Sequence, residues 1–345
     1  MRHNDKPLLL TSALALSLLV ACAVAFGQGR TQPPQQQGRP QATPSPTPQD
    51  PQGIQRETVT IRRVRLPITV LDKKGAPVGG LTAGDFQILE DKLPQTIETF
   101  SAEGQNLPLY IGVLMDTSPS TAGKIKFEQE AALNFIYTVV RPRRDQIAFL
   151  TFDDEINLRQ DFTDRLDLLN KAIYSVKKTG RQTALYDAVW QFCDEKMRGA
   201  QGRRALVIIT DGEDTYSRAD LRDAIDIAQR TETTIFAIST KAGFLATVPG
   251  VEAGTVKDSG DKDISKLCEE TGGLALFTGD MLALERAFKR IATELRSQYI
   301  VTYKPSNDKY DGSYRRVEVK LANGRDGLKV RTRKGYTAVA DSLKQ

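Results

Sequence analysis

Between residues 107 and 296, short apolar runs alternate with segments that carry apolar side chains at helical spacing. The clearest runs are residues 109–115, 146–152 and 205–210, and an amphipathic stretch at residues 124–140 separates the first two. Strands that are apolar on both faces are typical of a parallel sheet covered by helices on both sides. The alternation therefore predicts an α/β domain with a doubly wound, mostly parallel, Rossmann-like sheet.

Two β segments flank this domain, at residues 57–104 and 297–337. Apolar residues alternate through both of them, as at Leu66, Ile68 and Val70 in the first. Each segment is too short to bury a core of its own. We therefore expect the two segments to pair into one β-sandwich beside the α/β domain, with two separate β appendages as the alternative.

The first 26 residues have the pattern of a secretory signal peptide. Two basic residues precede an apolar run at residues 8–26, which ends in small side chains. This order is typical of a leader that is cleaved on export, although an apolar run of this length could also remain as a membrane anchor. Residues 19–22 (Leu-Val-Ala-Cys) also resemble a bacterial lipobox, which would make the protein a lipoprotein anchored at Cys22. The leader predicts an exported protein of the periplasm or cell envelope, or a secreted one.

Residues 27–56 are rich in proline and glutamine and contain few apolar side chains. Such a composition cannot support a core and predicts a disordered linker between the leader and the folded part. The formal net charge of the chain is only +5, from 48 basic and 43 acidic residues, and no basic run is interleaved with aromatic residues. We therefore expect no nucleic-acid binding, and contact with a membrane only through a lipid anchor or an uncleaved leader.

The sequence contains one histidine, His3, which lies in the predicted leader. A processed protein would therefore lack the histidine of Ser-His-Asp catalysis and of His-ligated zinc sites. Beyond Cys22, the only cysteines are Cys193 and Cys268. Two thiols cannot form an all-thiolate zinc site, and the sequence does not indicate whether they pair. Any metal site must use carboxylates and hydroxyls, which suit hard cations such as Mg²⁺, Mn²⁺ or Ca²⁺.

The motif Asp116-Thr117-Ser118-Pro119-Ser120 directly follows the first strand of the predicted sheet. In doubly wound sheets, ligands bind beyond the carboxyl ends of the strands, and alternate residues of such a loop can face one point. Asp116, Ser118 and Ser120 would then offer one carboxylate and two hydroxyls to a cation. A plain polar turn between a strand and a helix has the same composition and is the alternative.

Two further residues extend this pattern, because Thr183 lies at a helix start and Asp211 follows the strand at residues 205–210. Their order and spacing resemble the metal-ion-dependent adhesion site of von Willebrand factor type A domains. The resemblance implies a site for Mg²⁺, or for Mn²⁺ or Ca²⁺, formed by Asp116, Ser118, Ser120, Thr183 and Asp211. It also implies that a partner protein donates a carboxylate to the cation. Pro119 replaces the glycine of the commonest bacterial form and stiffens the loop without removing a ligand.

The two β segments are also similar to those of a von Willebrand factor type A-related family described in Acidobacteria. The similarity rests on residues 78–81 and 85–95 in the first segment, and on residues 299–305 and 331–336 in the second. It implies an exported protein.

From these features we predict a non-enzymatic, adhesion-type module that binds a partner protein through a divalent cation. The alternative is a structural scaffold of the envelope, in which the cation only holds loops together. A metal-dependent hydrolase is the least favoured reading, because no histidine can serve as its general base.

Several polar residues near the predicted site have other expected roles. Asp153 and Asp154 follow the strand at residues 146–152 and either line the same crevice or, as the favoured interpretation, form a solvated turn. Glu213 and Asp214 either tune the charge beside Asp211 or cap the next helix, and capping is favoured. Ser217 is also predicted to cap this helix, which runs to residue 229. The loop at residues 241–262 is either a ligand-contact loop or a surface insertion.

Overall fold

The computed structural model describes residues 63–102, 107–210, 213–240, 259–278, 281–322 and 327–339. All of them belong to one compact unit that begins at Val59. The predicted leader, the linker, Asp211 and most of the loop at residues 241–262 lie outside the described residues. Among the helices that are described, none has the length and apolar character needed to cross a membrane.

The strands of the described residues are β1 (Val64–Leu71), β2 (Phe86–Glu90), β3 (Leu93–Gln95), β4 (Ile97–Ser101), β5 (Leu109–Asp116), β6 (Gln146–Phe152), β7 (Ile156–Thr163), β8 (Arg203–Thr210), β9 (Thr233–Ser239), β10 (Ala275–Phe277), β11 (Tyr299–Tyr303), β12 (Tyr314–Leu321), β13 (Lys329–Arg331) and β14 (Gly335–Thr337). The helices are α1 (Ile125–Val139), α2 (Leu166–Tyr174), α3 (Leu185–Phe192), α4 (Leu221–Arg230), α5 (Ser259–Glu270) and α6 (Met281–Ser297). One turn of π-helix, Cys193–Met197, continues α3.

The central sheet has six strands in the order β10-β9-β8-β5-β6-β7. All neighbours are parallel except β7, which pairs antiparallel with β6 at one edge. Helices α1, α2 and α6 cover one face, and α3, α4 and α5 cover the other. Gly112 in β5 allows α3 to approach closely, since a Cβ there would lie 2.4 Å from Cε1 of Phe192. This architecture confirms the predicted doubly wound α/β fold.

The flanking β segments form two four-stranded sheets, in the orders β13-β1-β11-β4 and β14-β12-β2-β3. Strand β1 pairs antiparallel with β11, with Leu66 opposite Val301 and Ile68 opposite Tyr299. Strand β2 pairs in the same way with β12. Apolar side chains from both sheets share a third core. The predicted sandwich of N- and C-terminal segments is therefore confirmed, and two separate appendages are excluded.

Arginines connect the sandwich to the central domain. Arg65 donates from Nη2 to the carbonyl of Gly202, just before β8, at 3.0 Å, and from Nε to the carboxylate of Glu232, just before β9, at 3.0 Å. Arg333 donates from Nη1 to the carbonyl of Gln229, in the last turn of α4, at 2.6 Å. A cation is favourable there because the C-terminus of a helix carries partial negative charge. These contacts place the sandwich at the amino ends of β8 and β9.

Candidate metal site

Asp116 is the last residue of β5, in the middle of the central sheet, and its side chain is fully buried. The helix that follows β5, α1, packs on one face of the sheet, whereas the helix that follows the neighbouring β8, α4, packs on the other. The connections therefore diverge between these two strands. Such a divergence opens the crevice in which doubly wound sheets bind ligands, so the fold places Asp116 where a ligand site is expected.

Two hydrogen bonds fix the Asp116 carboxylate. Its Oδ1 accepts from the main-chain N–H of Ser118 at 2.8 Å, and its Oδ2 accepts from Oγ1 of Thr210 at 2.5 Å. Burial of an ionised carboxylate is costly without such donors, so they both compensate the burial and set its orientation. Sequence analysis did not identify Thr210. The available signal was a hydroxyl side chain at the end of an otherwise apolar strand.

The hydroxyls of Ser118 and Ser120 lie side by side, with 3.0 Å between their Oγ atoms. Pro119 begins a single 3₁₀ turn, Pro119–Thr121, and Thr121 donates from Oγ1 to the carbonyl of Ser118 at 2.8 Å. In an octahedral Mg²⁺ site with ligands about 2.1 Å from the metal, neighbouring ligands are about 3.0 Å apart. The separation of the two hydroxyls therefore fits two adjacent positions of such a site.

Thr183 lies just before α3 and is almost fully buried. Its N–H donates to Oγ1 of Thr215 at 3.0 Å, and its carbonyl accepts from the N–H of Thr215 at 2.9 Å and of Tyr216 at 3.0 Å. In the same loop, Gly180 donates from its N–H to the carbonyl of Thr117 at 2.8 Å. The loop that carries Thr183 is thus joined both to the loop after β5 and to the segment after β8.

Asp211 lies outside the described residues. Within the described ranges, no three histidine, cysteine, aspartate or glutamate side chains are grouped so that they could hold a metal. The described part of the predicted ligand set is instead one carboxylate, of Asp116, and the hydroxyls of Ser118, Ser120 and Thr183. Oxygen donors of this kind suit Mg²⁺, Mn²⁺ or Ca²⁺, so the residues present fit the cation that the sequence implies.

The predicted caps of α4 are wrong. Asp220 caps this helix, and its Oδ1 accepts from two N–H groups of the first turn at 2.7 and 2.9 Å. Asp214 and Ser217 bind the first turn of α3 instead. The N–H of Tyr186 donates to Oδ1 of Asp214 at 3.3 Å, and the N–H of Asp187 donates to Oγ of Ser217 at 3.0 Å. The segment after β8 therefore fixes the start of the helix that Thr183 precedes.

Three further carboxylates at this end of the sheet also hold loops in place. Glu213 accepts from an N–H of the first turn of α5 at 3.2 Å. Asp153 and Asp154 are half-buried, so the turn that they form is partly solvated. Asp153 accepts from Oγ1 of Thr117 at 2.7 Å, and Asp154 accepts from the N–H of Arg181 at 2.6 Å.

Cys193 and Cys268 are buried free thiols. Burial raises the pKa of Cys193 to about 12, and it also raises the pKa of Cys268 well above its ordinary value. Both side chains are therefore protonated at neutral pH. They act as small apolar groups of the core rather than as metal ligands or a disulfide.

Residues 111–213 match the family model of the von Willebrand factor type A domain. The matched range includes all five predicted ligands. Both β segments lie outside it, so their resemblance to a family of Acidobacteria stays a prediction. No curated protein matches the chain.

Several solved structures are similar to the chain at low sequence identity. An aerotolerance-related membrane protein from Bacteroides fragilis is 13% identical with a TM-score of 0.43, and the match covers 54% of this chain and 98% of that one. The conserved hypothetical protein BatB from Bacteroides thetaiotaomicron is 12% identical with a TM-score of 0.40, over 54% and 98% of the two chains. Proximal thread matrix protein 1 from the mussel byssus, with a zinc-occupied adhesion site, is 14% identical with a TM-score of 0.44, over 59% and 48%. Similarity at this level says nothing about function.

Proposed function

We propose that this protein binds a partner protein through a divalent cation. Residues 111–213 match the family model of the von Willebrand factor type A domain, a type of domain that generally mediates protein–protein interactions. The proposed ligands of the cation are Asp116, Ser118, Ser120, Thr183 and Asp211. The observation that carries the proposal is the pair of hydroxyls of Ser118 and Ser120, 3.0 Å apart beside a fully buried carboxylate.

The proposed ligands of the cation include both charged and neutral oxygen atoms. Asp116 supplies negative charge, and the hydroxyls of Ser118, Ser120 and Thr183 supply neutral ligands that do not over-charge the site. When bound, the cation supplies a coordination position that attracts a carboxylate oxygen of the partner. Ser120 is exposed, whereas Asp116 and Ser118 are buried. The partner would therefore approach from the side of Ser120.

We propose that this protein is not an enzyme. A general base must lie within reach of the proton it removes and be available to accept it. The carboxylates of Asp153, Glu213 and Asp214 already accept hydrogen bonds that hold neighbouring loops and helix ends. We expect no hydrolysis of phosphoester or peptide panels in the presence of Mn²⁺. Turnover that disappears with Asp116→Asn would contradict this part of the proposal.

The proposed place of action is outside the cytoplasm. The basic, apolar and small-residue regions of the first 26 residues support this part of the proposal. Mass spectrometry of the N-terminus of the protein from its native envelope tests it. A processed or lipidated N-terminus is the expected result, and an intact Met1 on a protein recovered from the cytoplasm would contradict it.

Calorimetric titration of Mn²⁺ into the full chain tests the metal site. We expect Asp116→Asn to lower the affinity by at least about 100-fold, because loss of a direct ligand should cost no less than loss of an outer-shell partner. Asp167→Asn is the matched control, because Asp167 is an exposed carboxylate on α2 that pairs with Arg165. Equal Mn²⁺ binding by Asp116→Asn and by the unaltered chain would refute the proposal.

Capture from envelope extract separates binding from a purely structural role of the metal. The full chain is immobilised and exposed to the extract with Mg²⁺ or with a chelator. Retention of a partner with Mg²⁺, and its release by the chelator, is the expected result. A chelator that lowers the melting temperature but leaves partner retention unchanged would favour the scaffold alternative.

A further inference from the structure

Asp153 lies directly after β6, next to the loop that carries the proposed ligands. Its Oδ2 accepts from Oγ1 of Thr117 at 2.7 Å, and its Oδ1 accepts from the N–H of Glu155 at 2.9 Å. Thr117 stands between the proposed ligands Asp116 and Ser118 and also donates from its N–H to the carbonyl of Phe152 at 2.8 Å. The two oxygens of Asp153 thus have different partners, one within its own turn and one in the proposed metal-binding loop.

The main chain of Asp153 is joined to the second proposed metal-binding loop. Its carbonyl accepts from the N–H of Ala184 at 2.9 Å, one residue after Thr183. Earlier in that loop, Gly180 lies against the carboxylate, and a Cβ at Gly180 would be 2.3 Å from Cγ of Asp153. A side chain at this position would have to displace Asp153. Only glycine fits at position 180, because any larger residue would occupy the space that the Asp153 carboxylate fills between the two loops.

We propose that Asp153 is a positioning residue that fixes the separation of the two metal-binding loops before a cation arrives. This inference rests on the proposed function of the site. Asp153 joins the loop of Ser118, through Thr117, to the loop of Thr183, through Ala184. Ligands that are held in their bound arrangement lose less freedom when the ligand binds, so this connection raises the affinity for the cation without contacting it.

The different partners of the two oxygens allow a sharp test. In Asp153→Asn, the amide oxygen keeps the bond from the N–H of Glu155, whereas the NH₂ group can only donate to Oγ1 of Thr117, so the bond is reversed and loses its charge assistance. The Thr117 hydroxyl keeps a partner in the carbonyl of Phe152, 3.2 Å away, so the variant is expected to fold. Thr117→Val removes the hydroxyl that donates to Asp153, whereas Thr117→Ser keeps a hydroxyl at the same position.

Mn²⁺ titration of the full chain, combined with the melting temperature in chelator, is the experiment. Asp153→Asn and Thr117→Val should each lower the Mn²⁺ affinity by about tenfold, with metal-free melting temperatures within a few degrees of the unaltered chain. The double variant should lose no more affinity than the more strongly affected single variant, because both substitutions act on the same bond between Thr117 and Asp153. Thr117→Ser should bind like the unaltered chain.

Asp154→Asn is the matched control. It removes the neighbouring negative charge and the bonds from Nε and Nη2 of Arg181 at 3.3 and 3.2 Å, while its amide oxygen still accepts the N–H of Arg181, a bond of 2.6 Å in the native protein. Equal losses in Asp153→Asn and Asp154→Asn would show that the effect does not depend on the bond to Thr117 and would overturn the inference. Native affinity in Asp153→Asn would overturn it as well, while leaving the proposed function intact. An unaltered chain that binds no Mn²⁺ would overturn both.

Discussion

Asp145 lies in the turn before β6 with its side chain almost fully buried. Its carboxylate accepts four hydrogen bonds, from the N–H of Leu109 at 3.2 Å and from N, Nε and Nη2 of Arg141 at 3.1, 2.9 and 2.8 Å. It therefore joins the start of β5, whose other end carries Asp116, to the chain that leaves α1. We predict that Asp145→Asn destabilises the central domain.

The expected loss follows from the two oxygens of Asp145. An amide keeps one acceptor, but its NH₂ group then faces the N and Nε of Arg141, which are both donors. The lost bond to the charged guanidinium is worth about 1.5–3 kcal/mol, and the lost bond to the neutral N–H about 1 kcal/mol. We expect a decrease of about 3 kcal/mol in the free energy of unfolding, or about 6–12 °C in melting temperature for a domain of this size.

The pH dependence of this loss provides a second check. Burial alone would raise the pKa of Asp145, but the hydrogen bonds and charge of Arg141 outweigh it and hold the pKa below its ordinary value. A carboxylate with a lowered folded-state pKa contributes its full stability above the unfolded-state pKa of about 3.9, and loses it as the pH falls through the folded-state pKa. The difference between native and variant protein should be constant from about pH 8 to pH 5 and shrink below about pH 4.

Urea unfolding followed by circular dichroism measures the difference at about pH 7.5 and 5.5, where it should be constant, and at about pH 3.5, where it should have begun to shrink. Asp167→Asn is again the control, because this exposed ion pair with Arg165 should leave the midpoint unchanged. A loss below about 1 kcal/mol in Asp145→Asn at pH 7.5 would refute the reasoning about the hydrogen bonds. A difference that widens at pH 3.5 would refute the assigned direction of the pKa shift.

Three further predictions concern the core and the junction with the sandwich. Gly112→Val should lower the free energy of unfolding by more than about 2 kcal/mol, as denaturant titration would measure, because its side chain must displace Phe192; native stability would contradict this. Cys193 and Cys268 should react with a thiol reagent only after unfolding, because both are buried free thiols; fast reaction of the folded chain would contradict their burial. Arg333→Met should lower the melting temperature by several degrees through loss of its bond to the end of α4, yet change the Mn²⁺ affinity by less than about twofold. A larger change would show that the junction and the site are coupled.

The parallel strands could be predicted because their continuous apolar runs suit a sheet that is buried on both faces. Two other elements of the domain could not be predicted in full. Strand β7 is an edge strand that carries polar residues such as Asn157, Arg159 and Asp161, and its order is determined by antiparallel pairing with β6. Helix α5 begins at Ser259, inside the segment that was predicted as a loop. Strand β7 depends on contacts with its neighbour rather than on its own hydrophobic pattern. Helix α5 carries Ile264, Leu267 and Cys268 at helical spacing, but its first turn has no apolar side chain to mark its start.

Part of the candidate site could likewise be predicted from the sequence, and part of it could not. Asp116, Ser118 and Ser120 are close in sequence, so their shared position could be predicted from one loop and one strand end. The roles of Asp153 and Ser217 could not, because each acts on a segment about 30 residues or more away, at Thr117 and at the start of α3. Ser217 has the residue type of an N-cap, and the sequence cannot indicate that it caps a helix other than the next one.

The direction of the helices explains why acidic residues cap helices at the carboxyl end of the central sheet. Helices α4 and α5 follow the parallel strands β8 and β9, and α3 precedes β8, so the N-termini of these helices lie on the side of Asp116. Their first turns are capped by Asp214, Asp220 and Glu213, respectively, whereas Arg333 binds the C-terminus of α4 on the side of the sandwich. Negative side chains are favoured at helix N-termini and positive ones at C-termini. Helix capping therefore accounts for these carboxylates at the carboxyl end of the sheet without assigning them to the proposed metal site.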